Sequence, residues 1–374
     1  MANLKVDTIS GIGTEGPVLN GGLHFRSKNY LTLPKGNTTE RTATSSGIST
    51  VIGAIRYNTD SNKMECYVNN KWMIVSTSSP NLDGGGRGLV AGGNTPNQTN
   101  IIQFITISTQ GNSQDFGDLT ALTQANPGAT GSSTRGLLGG GQVFPANTNK
   151  IDLITFSSTS NASDFGDLTV TRNSVIGTGN QTRGVFGGGS TPSLQDVIDF
   201  VTISQTGNAV DFGNLTKAVS FCGSASSPTR GLFLGGQAPS QVSDIEFITI
   251  PTTGNADRFT DLTVGRRIPS GVSSSTRAVA MGGRTPDHSN IIDFFTIATL
   301  GNADDFGDLT EEKGNAQSAS DCIRGVRMGG SNGGSNNITM DYINIATRAN
   351  AEDFGDLATG QGEGAGCSNA HGGL

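Results

Sequence analysis

Charge is scarce in this chain: Lys, Arg, Asp and Glu together supply 15% of 374 residues. Disordered chains usually carry a high charge excess, so that class is excluded. Long apolar runs are missing too. No stretch approaches the roughly 20 residues of a membrane-spanning helix, and no N-terminal run has the make-up of a signal peptide. No membrane association is expected, and assembly in a reducing cytoplasm is. Cysteine is limited to Cys66, Cys222, Cys322 and Cys367, and there are only three histidines. Without a Cys-x-x-Cys pair or a His cluster, neither a disulfide framework nor a metal site is indicated, and free buried thiols are expected. Aromatics are few, with one tryptophan, Trp72. That leaves little from which to build the exposed ring platforms of a carbohydrate site.

What is plentiful is glycine, at 55 residues. Glycine among short apolar runs predicts an all-β chain of short strands and tight turns. Charge is unevenly divided. Residues 1–80 hold 8 basic and 5 acidic side chains, leaving 16 basic and 26 acidic in the remainder. The acidic part is a poor partner for phosphate backbones, so no nucleic-acid binding is expected.

An internal repeat dominates residues 81–374. A basic residue followed by a small residue and an apolar run recurs at Arg87, Arg135, Arg183, Arg230, Arg277 and Arg324, at spacings of 48, 48, 47, 47 and 47. Each is followed by a glycine pair: Gly92-Gly93, Gly139-Gly140, Gly187-Gly188, Gly235-Gly236, Gly282-Gly283 and Gly329-Gly330. An apolar strand such as IIQFITIS or VIDFVTIS comes next. A Gly-Asn turn then supplies the positive φ of a tight hairpin, at Gly207-Asn208, Gly254-Asn255 and Gly301-Asn302. The following strand reads DFGDLT or a near variant, replaced once by RFTDLT from Arg258. A last segment is rich in small residues. Four strands per unit make one blade of a β-propeller, with the small-residue strand innermost. A solenoid usually repeats in fewer residues and needs caps.

The last residues extend the pattern. One more spacing of 47 from Arg324 reaches His371, after the small-residue strand GQGEGAGCSNA. The unit starting at Arg87 has no such strand before it. The C-terminal strand is therefore expected to complete the first unit and close a six-bladed ring.

Several motifs have a bland structural reading. Five DFG copies at the repeat period are architecture rather than a kinase metal site, for which the accompanying kinase motifs are absent. The repeated arginines are expected to pair with repeated carboxylates among Asp118, Asp167, Asp261, Asp308 and Asp356. The acidic pairs of DFGD lack an oxygen-rich calcium loop. Phe116, Phe165, Phe212, Phe259, Phe306 and Phe354 recur on one strand, and Phe104, Phe200, Phe247, Phe294 and Tyr342 on another; both sets are expected in the core. What varies is the loop after each glycine pair. All six loops are expected on one face, where recognition usually lives on a rigid scaffold. Asn97, Phe144, Gln195, Gln241, His288 and Asn332 are the candidate binding residues there. Phe144 alone breaks the repeat as an aromatic. No catalytic residue, metal or cofactor is expected.

Two resemblances follow from these residues. The glycine pair with aromatics on the next two strands resembles kelch-type propellers over about residues 84–374, with Phe where that family has Trp. Residues 31–75 contain LTLPKGNTTERT, then GAIRYNTD and finally NNKW, with turns at 58–63 and 69–70. That order resembles a module of bacteriophage tail-fibre and other virion structural proteins. MANLKVDTIS and GPVLNGGLHF are similar to the start of virion proteins of cyanobacterial phages. The resemblance implies a non-enzymatic structural protein of the virion, assembled often as a trimer. Residues 1–80, including an extended arm, would dock on other virion proteins. The propeller, hung from the linker 76–86, would be displayed towards a host-surface glycan or protein. A carbohydrate-binding module and a capsid head-fibre or decoration protein are the alternatives.

Overall fold

The computed structural model describes residues 33–42, 54–60, 63–68, 71–74, 86–299, 301–333 and 336–374. The opening segments MANLKVDTIS and GPVLNGGLHF, and all of the 76–86 linker but Gly86, lie outside the described residues. The chain divides into two units, Met1–Ser79 and Pro80–Leu374.

In the first unit, Ile55–Asn58, Lys63–Val68 and Lys71–Ile74 pair antiparallel in succession, and Lys35–Gly36 adds to Ile55–Asn58 in parallel. The turn residues 61–62 and 69–70 lie outside the described residues. The sheet's polar centre is Glu65, a buried carboxylate. Arg41 Nε donates to it at 3.0 Å and Asn58 Nδ2 at 2.9 Å. The Arg41 hydrogen bond holds the Glu65 carboxyl below its ordinary range against the effect of burial. Trp72 lies 5.3 Å from the Tyr67 ring and 5.7 Å beneath the Arg56 guanidinium.

The second unit is all-β. It holds six four-stranded antiparallel sheets, one per sequence repeat. In sheet order, the second sheet runs Gly128–Gly131, Arg135–Gly139, Lys150–Thr155 and Ser163–Asp167. The third to sixth follow the same plan, starting at Ile176–Gly179, Gly223–Ser226, Ser270–Ser273 and Gln317–Ser320. The first sheet differs only in its source. Its first strand is the C-terminal Ala365–Ser368, paired antiparallel with Arg87–Ala91. Ile101–Thr106 and Gln114–Asp118 complete it.

The DFG motif is a β-bulge. Ile102 faces Gly117, but the next residue, Gln103, faces Asp115, so Phe116 is the extra residue on its strand. The same skip falls at Phe165, Phe212, Phe259, Phe306 and Phe354. A bulge re-aims a side chain, and these six rings are all buried. The second aromatic set was expected in the core as well. Phe104, Phe200, Phe247, Phe294 and Tyr342 are instead only half-buried. Their exposed faces carry arginines, as described below.

The core consists of six clusters, each made by two sheets that follow one another. Leu89, Ile102 and Phe116 of the first sheet pack with Leu138, Ile154 and Phe156 of the second sheet's repeat. The same plan continues through the third, fourth, fifth and sixth sheets. Val326, Met328, Met340 and Phe354 of the sixth sheet pack with Val90, Ile105 and Ile107 of the first. First strands of successive sheets also touch, and Ala365–Ser368 touches both Gln317–Ser320 and Gly128–Gly131. The approach is close: a Cβ on Gly271 would lie 1.9 Å from Ser224 O and 2.9 Å from Ser224 N. Backbone atoms held in a sheet cannot yield as a side chain can. Gly271→Val is therefore expected to exceed the ~1–3 kcal/mol of ordinary core overpacking. Gly254→Ala serves as the control, since its Cβ would meet nothing within 4 Å. Denaturant midpoints measure both, and equal midpoints for the two variants would refute the close approach.

Candidate functional site

The variable loops begin at glycines whose φ lies in the left-handed region, such as Gly92 (65°) and Gly93 (93°). In the second sheet this pair is Gly140-Gly141, at 74° and 94°, and in the third Gly188-Gly189, at 59° and 104°, each one residue later than the sequence pattern suggests. Arg135-Gly-Leu-Leu-Gly139 is the strand itself. From the glycines the chain forms short hairpins. Gln142–Val143 pairs with Ala146–Asn147, Ser190–Thr191 with Ser193–Leu194, and Gln237–Ala238 with Ser240–Gln241. In the fifth sheet the hairpin is continuous with the long strands Arg277–Thr285 and Asp287–Thr296.

The six residues chosen from sequence all fall in these loops, each within its own. Phe144 is 73% exposed, its backbone N–H held by Gln98 Oε1 at 3.2 Å. Asn97 and Asn332 are exposed; Gln195, Gln241 and His288 are half-buried. Gln195 Nε2 is engaged by its own hairpin, at Ser193 O (3.0 Å) and Leu194 O (3.2 Å). No hydrogen bond joins any two of the six among the described residues. Other side chains link the loops. Gln98 Nε2 donates to Gln142 O at 3.3 Å, and Asn147 Nδ2 to Ser190 O at 3.1 Å. Arg267 Nη1 donates to Gln237 Oε1 at 3.0 Å, and Asn336 Nδ2 to Asn94 O at 2.6 Å. All but Arg267, which precedes the fifth sheet's first strand, lie in the variable loops, but no single sequence position marks them.

The repeated arginines do not take the carboxylate partners expected of them. Arg87, Arg135, Arg183, Arg230 and Arg277 donate to the backbone carbonyls of Phe156, Ile203, Ile250, Ile297 and Ile345, at 2.6–3.0 Å. Arg324 donates to Ser108 O at 2.9 Å. Each acceptor follows the third strand of the next sheet, and for the sixth sheet it follows that of the first. Five of the arginines also cover the half-buried aromatic of their own sheet, with centroid distances of 4.7–5.2 Å. In the second sheet Leu153 takes the aromatic's position, and the arginine has no ring to cover. A planar guanidinium suits both tasks, stacking by its face while donating at its edge.

The carboxylates that matter are inside the third strands. Asp152, Asp199, Glu246, Asp293 and Asp341 are buried. Each accepts the hydroxyl of the DLT threonine from the preceding sheet: Thr120, Thr169, Thr216, Thr263 and Thr310. Three also have a buried cation: Arg172 with Asp199, Arg266 with Asp293 and Lys313 with Asp341. Asp152 has none, and burial pushes its carboxyl above the ordinary range despite the Thr120 bonds. Between the sixth and first sheets, DLT becomes DLA and the acid becomes Gln103. There Gln103 Oε1 accepts from Thr359 N at 3.2 Å, and its Nε2 donates to Gln361 Oε1 at 2.5 Å.

The turn asparagine, which follows Gly, Ser or Ala, reaches the preceding sheet as well. Asn161, Asn208, Asn255 and Asn350 accept through Oδ1 from the backbone N–H of Asp118, Asp167, Asn214 and Asp308, at 3.0–3.1 Å. Asn112 does the same for Asp356 at 3.0 Å. Where RFTD replaces DFGD, Thr260 Oγ1 donates to Asn302 Oδ1 at 2.7 Å instead.

The first strands line two small cavities, of about 60 and about 90 Å³. The smaller is bordered by Thr178, Ser226, Ser273, Ser320 and Ser368 together with His371. Their hydroxyls bond from the first strand of one sheet to that of its neighbour: Ser273 Oγ to Ser226 O at 2.8 Å, and Ser368 Oγ to Ser320 O at 2.6 Å. Gly373 N–H donates to His371 Nδ1 at 3.1 Å, which makes Nδ1 an acceptor and puts the proton on Nε2. Nε2 then donates to Gly131 O at 2.9 Å. Burial holds His371 below the ordinary imidazole range, and its contact with Ser226 Oγ (3.3 Å) has no carboxylate behind it. The arrangement ties the C-terminal residues to the second and fourth sheets. All four cysteines are free, but only Cys367 is buried; the other three are half-buried. Neither a protein-family model nor a curated protein sequence matches this chain.

Proposed function

We propose that the second unit is a six-bladed β-propeller, and that the chain is a non-enzymatic structural protein of a bacteriophage virion. In this reading residues 1–79 attach to other virion proteins, in a trimeric assembly, and the propeller is displayed on a tail fibre or other surface appendage. The propeller reading is supported by cross-sheet bonds between the sixth and first sheets of the same kinds as those elsewhere: Arg324 to Ser108 O, Asn112 to Asp356 N, and a shared apolar cluster. The observation that carries the display reading is the contrast between six like sheets and six unlike loops. A scaffold repeated so closely in its buried bonds differs chiefly where it meets solvent, and that is where recognition is placed. The virion assignment rests on the likeness of residues 31–75 to a tail-fibre module.

A carbohydrate-binding module is the second reading, favoured by Phe144 standing 73% exposed at a hairpin tip.

Particle incorporation separates attachment from display. A chain starting at residue 80 is expected to be soluble and cooperatively folded, since the second unit buries its own core. Supplied in place of the full chain, it is expected to be absent from purified particles. Incorporation at the full chain's level would assign attachment to the sheets and overturn the reading.

A further inference from the structure

One junction between sheets departs from the others in charge. Ahead of each first strand, a residue bridges to the start of that sheet's hairpin loop. The bridged pairs are Gln124–Gln142, Asn173–Ser190, Ser220–Gln237, Gly314–Ser331 and, using the C-terminal segment, Gly362–Asn94. In the fifth sheet the pair is Arg267–Arg284. The two arginines exchange both backbone hydrogen bonds, Arg267 N to Arg284 O at 3.1 Å and Arg284 N to Arg267 O at 2.9 Å. Residues so paired have Cα atoms about 5.5 Å apart. Like charges directly opposite each other destabilise a sheet, so this pair is unfavourable by itself.

A third basic side chain joins them. His288 faces Arg284 across the hairpin. Both lean over Gly314 of the next junction, where a Cβ would lie 3.0 Å from Arg284 Cγ and 3.2 Å from His288 Cδ2. A side chain on Gly314 would displace both of them.

Donors in this cluster remain free. Arg267 uses only Nη1, on Gln237, and the Nη groups of Arg284 make no hydrogen bond among the described residues; both Nε atoms and the His288 ring nitrogen Nε2 are buried without a partner. Among the described residues, neither arginine has a carboxylate oxygen within 4.0 Å. Arg172 and Arg266, by contrast, each hold an aspartate at 2.8–2.9 Å. Burial, then Arg284 and Arg327, hold His288 below the ordinary imidazole range, against Asp287 and Glu312. The local field is positive although the second unit as a whole is acidic.

We propose that Arg267, Arg284 and His288 form an oxyanion-binding site beside the fifth sheet's hairpin, taking a carboxylate, sulfate or phosphate group. Guanidinium groups present forked donors that match such groups, and charge-assisted bonds to them are the stronger kind. An anion between the arginines removes their mutual repulsion and supplies acceptors for the free donors. The group comes either as a free inorganic ion or on an acidic sugar. The site does not depend on the virion reading.

The test is titration of the full chain by calorimetry at constant ionic strength, with sulfate, inorganic phosphate, glucuronate and neutral glucose. Saturable binding of at least one anion, with none of glucose, is expected. Arg267→Gln/Arg284→Gln is expected to weaken it tenfold or more. That variant should melt no lower than the parent, because it loses a like-charge contact. The His288 ring signal, assigned through His288→Gln, should shift on anion addition and titrate at higher pH. Binding of glucuronate assigns the site to an acidic sugar, and binding of inorganic ions alone assigns it to those. No binding of any anion, or parental binding by the double variant, overturns the site while leaving particle incorporation unaffected.

Discussion

Removing residues 358–374 is expected to lower the melting temperature by ~10 °C or more, at roughly 2–4 °C per kcal/mol for a domain of this size class. The deletion takes away the whole strand Ala365–Ser368 and its pairing with Gly88–Ala91. With it go Asn369 Oδ1, which caps Arg87 N at 2.8 Å, and Gln361 Nε2, which bonds Gly92 O at 3.0 Å and Ile101 O at 3.1 Å. The buried side chains Leu89 and Ala91 lose the cover of Ala365 and Cys367. The strand Arg87–Ala91 becomes an open edge, a template for pairing with other chains. Aggregation at lower temperature should accompany the drop. A melting temperature within 2–3 °C of the parent, about 1 kcal/mol on that scale, would mean that the terminal strand adds little and that the six-sheet scheme is wrong.

The second large effect is expected at Asp293. Its carboxylate is fully buried and accepts Arg266 Nη1 at 2.8 Å and Thr263 Oγ1 at 2.6 Å. Asp293→Ala leaves the Arg266 guanidinium buried without its counter-charge, a change that costs about 3–5 kcal/mol. Arg266→Met/Asp293→Val removes both charges and should recover most of that loss, because the burial penalty of the ions disappears with them. Asp152 offers the comparison. It has the equivalent threonine, Thr120, but no cation, so Asp152→Ala should cost only the ~1–3 kcal/mol of orphaned hydrogen-bond donors. Denaturant unfolding of the three variants against the parent measures these differences. Equal losses for Asp293→Ala and Asp152→Ala would show that Arg266 does not depend on its aspartate.

The six sheets were legible because everything within a sheet lies close in sequence. Strand, glycine pair, apolar strand, Gly-Asn turn and DFG strand recur within 47 or 48 residues, and each is a local response to local residues. The pairing of Ala365–Ser368 with the first sheet is the exception, distant in sequence but readable from the period, since counting one more from Arg324 reaches His371. Bonds between sheets were not legible. Arg87 ends on the carbonyl of Phe156, and a backbone carbonyl has no signature in sequence; a repeated aspartate nearby was the natural but mistaken partner. The turn asparagine was read as turn chemistry and the DFG glycine as part of a plain strand. Gly166 is in fact where the next sheet's turn docks, with a Cβ only 2.4 Å from Gly207 O. The aspartates within VIDFVT and IIDFFT were passed over because they sit in apolar strings. Their threonines lie 30 residues earlier, beyond any local pattern. At the loops, His288 was picked out but Arg267 and Arg284 were not, since only the fold brings positions 17 residues apart face to face.

The position of Arg87–Ala91 has a mechanical consequence. This strand follows directly from Gly86, the first described residue of the second unit, and it leads straight into the loop that starts at Gly92. It is flanked on both sides, by Ala365–Ser368 and by Ile101–Thr106. A tensile load entering at Gly86 and leaving through the loops runs along the strand, so both ladders are strained in shear. Their hydrogen bonds then share the force and must give way together. Had the chain entered through an outermost strand pulled sideways, the bonds would peel one at a time under a far smaller force.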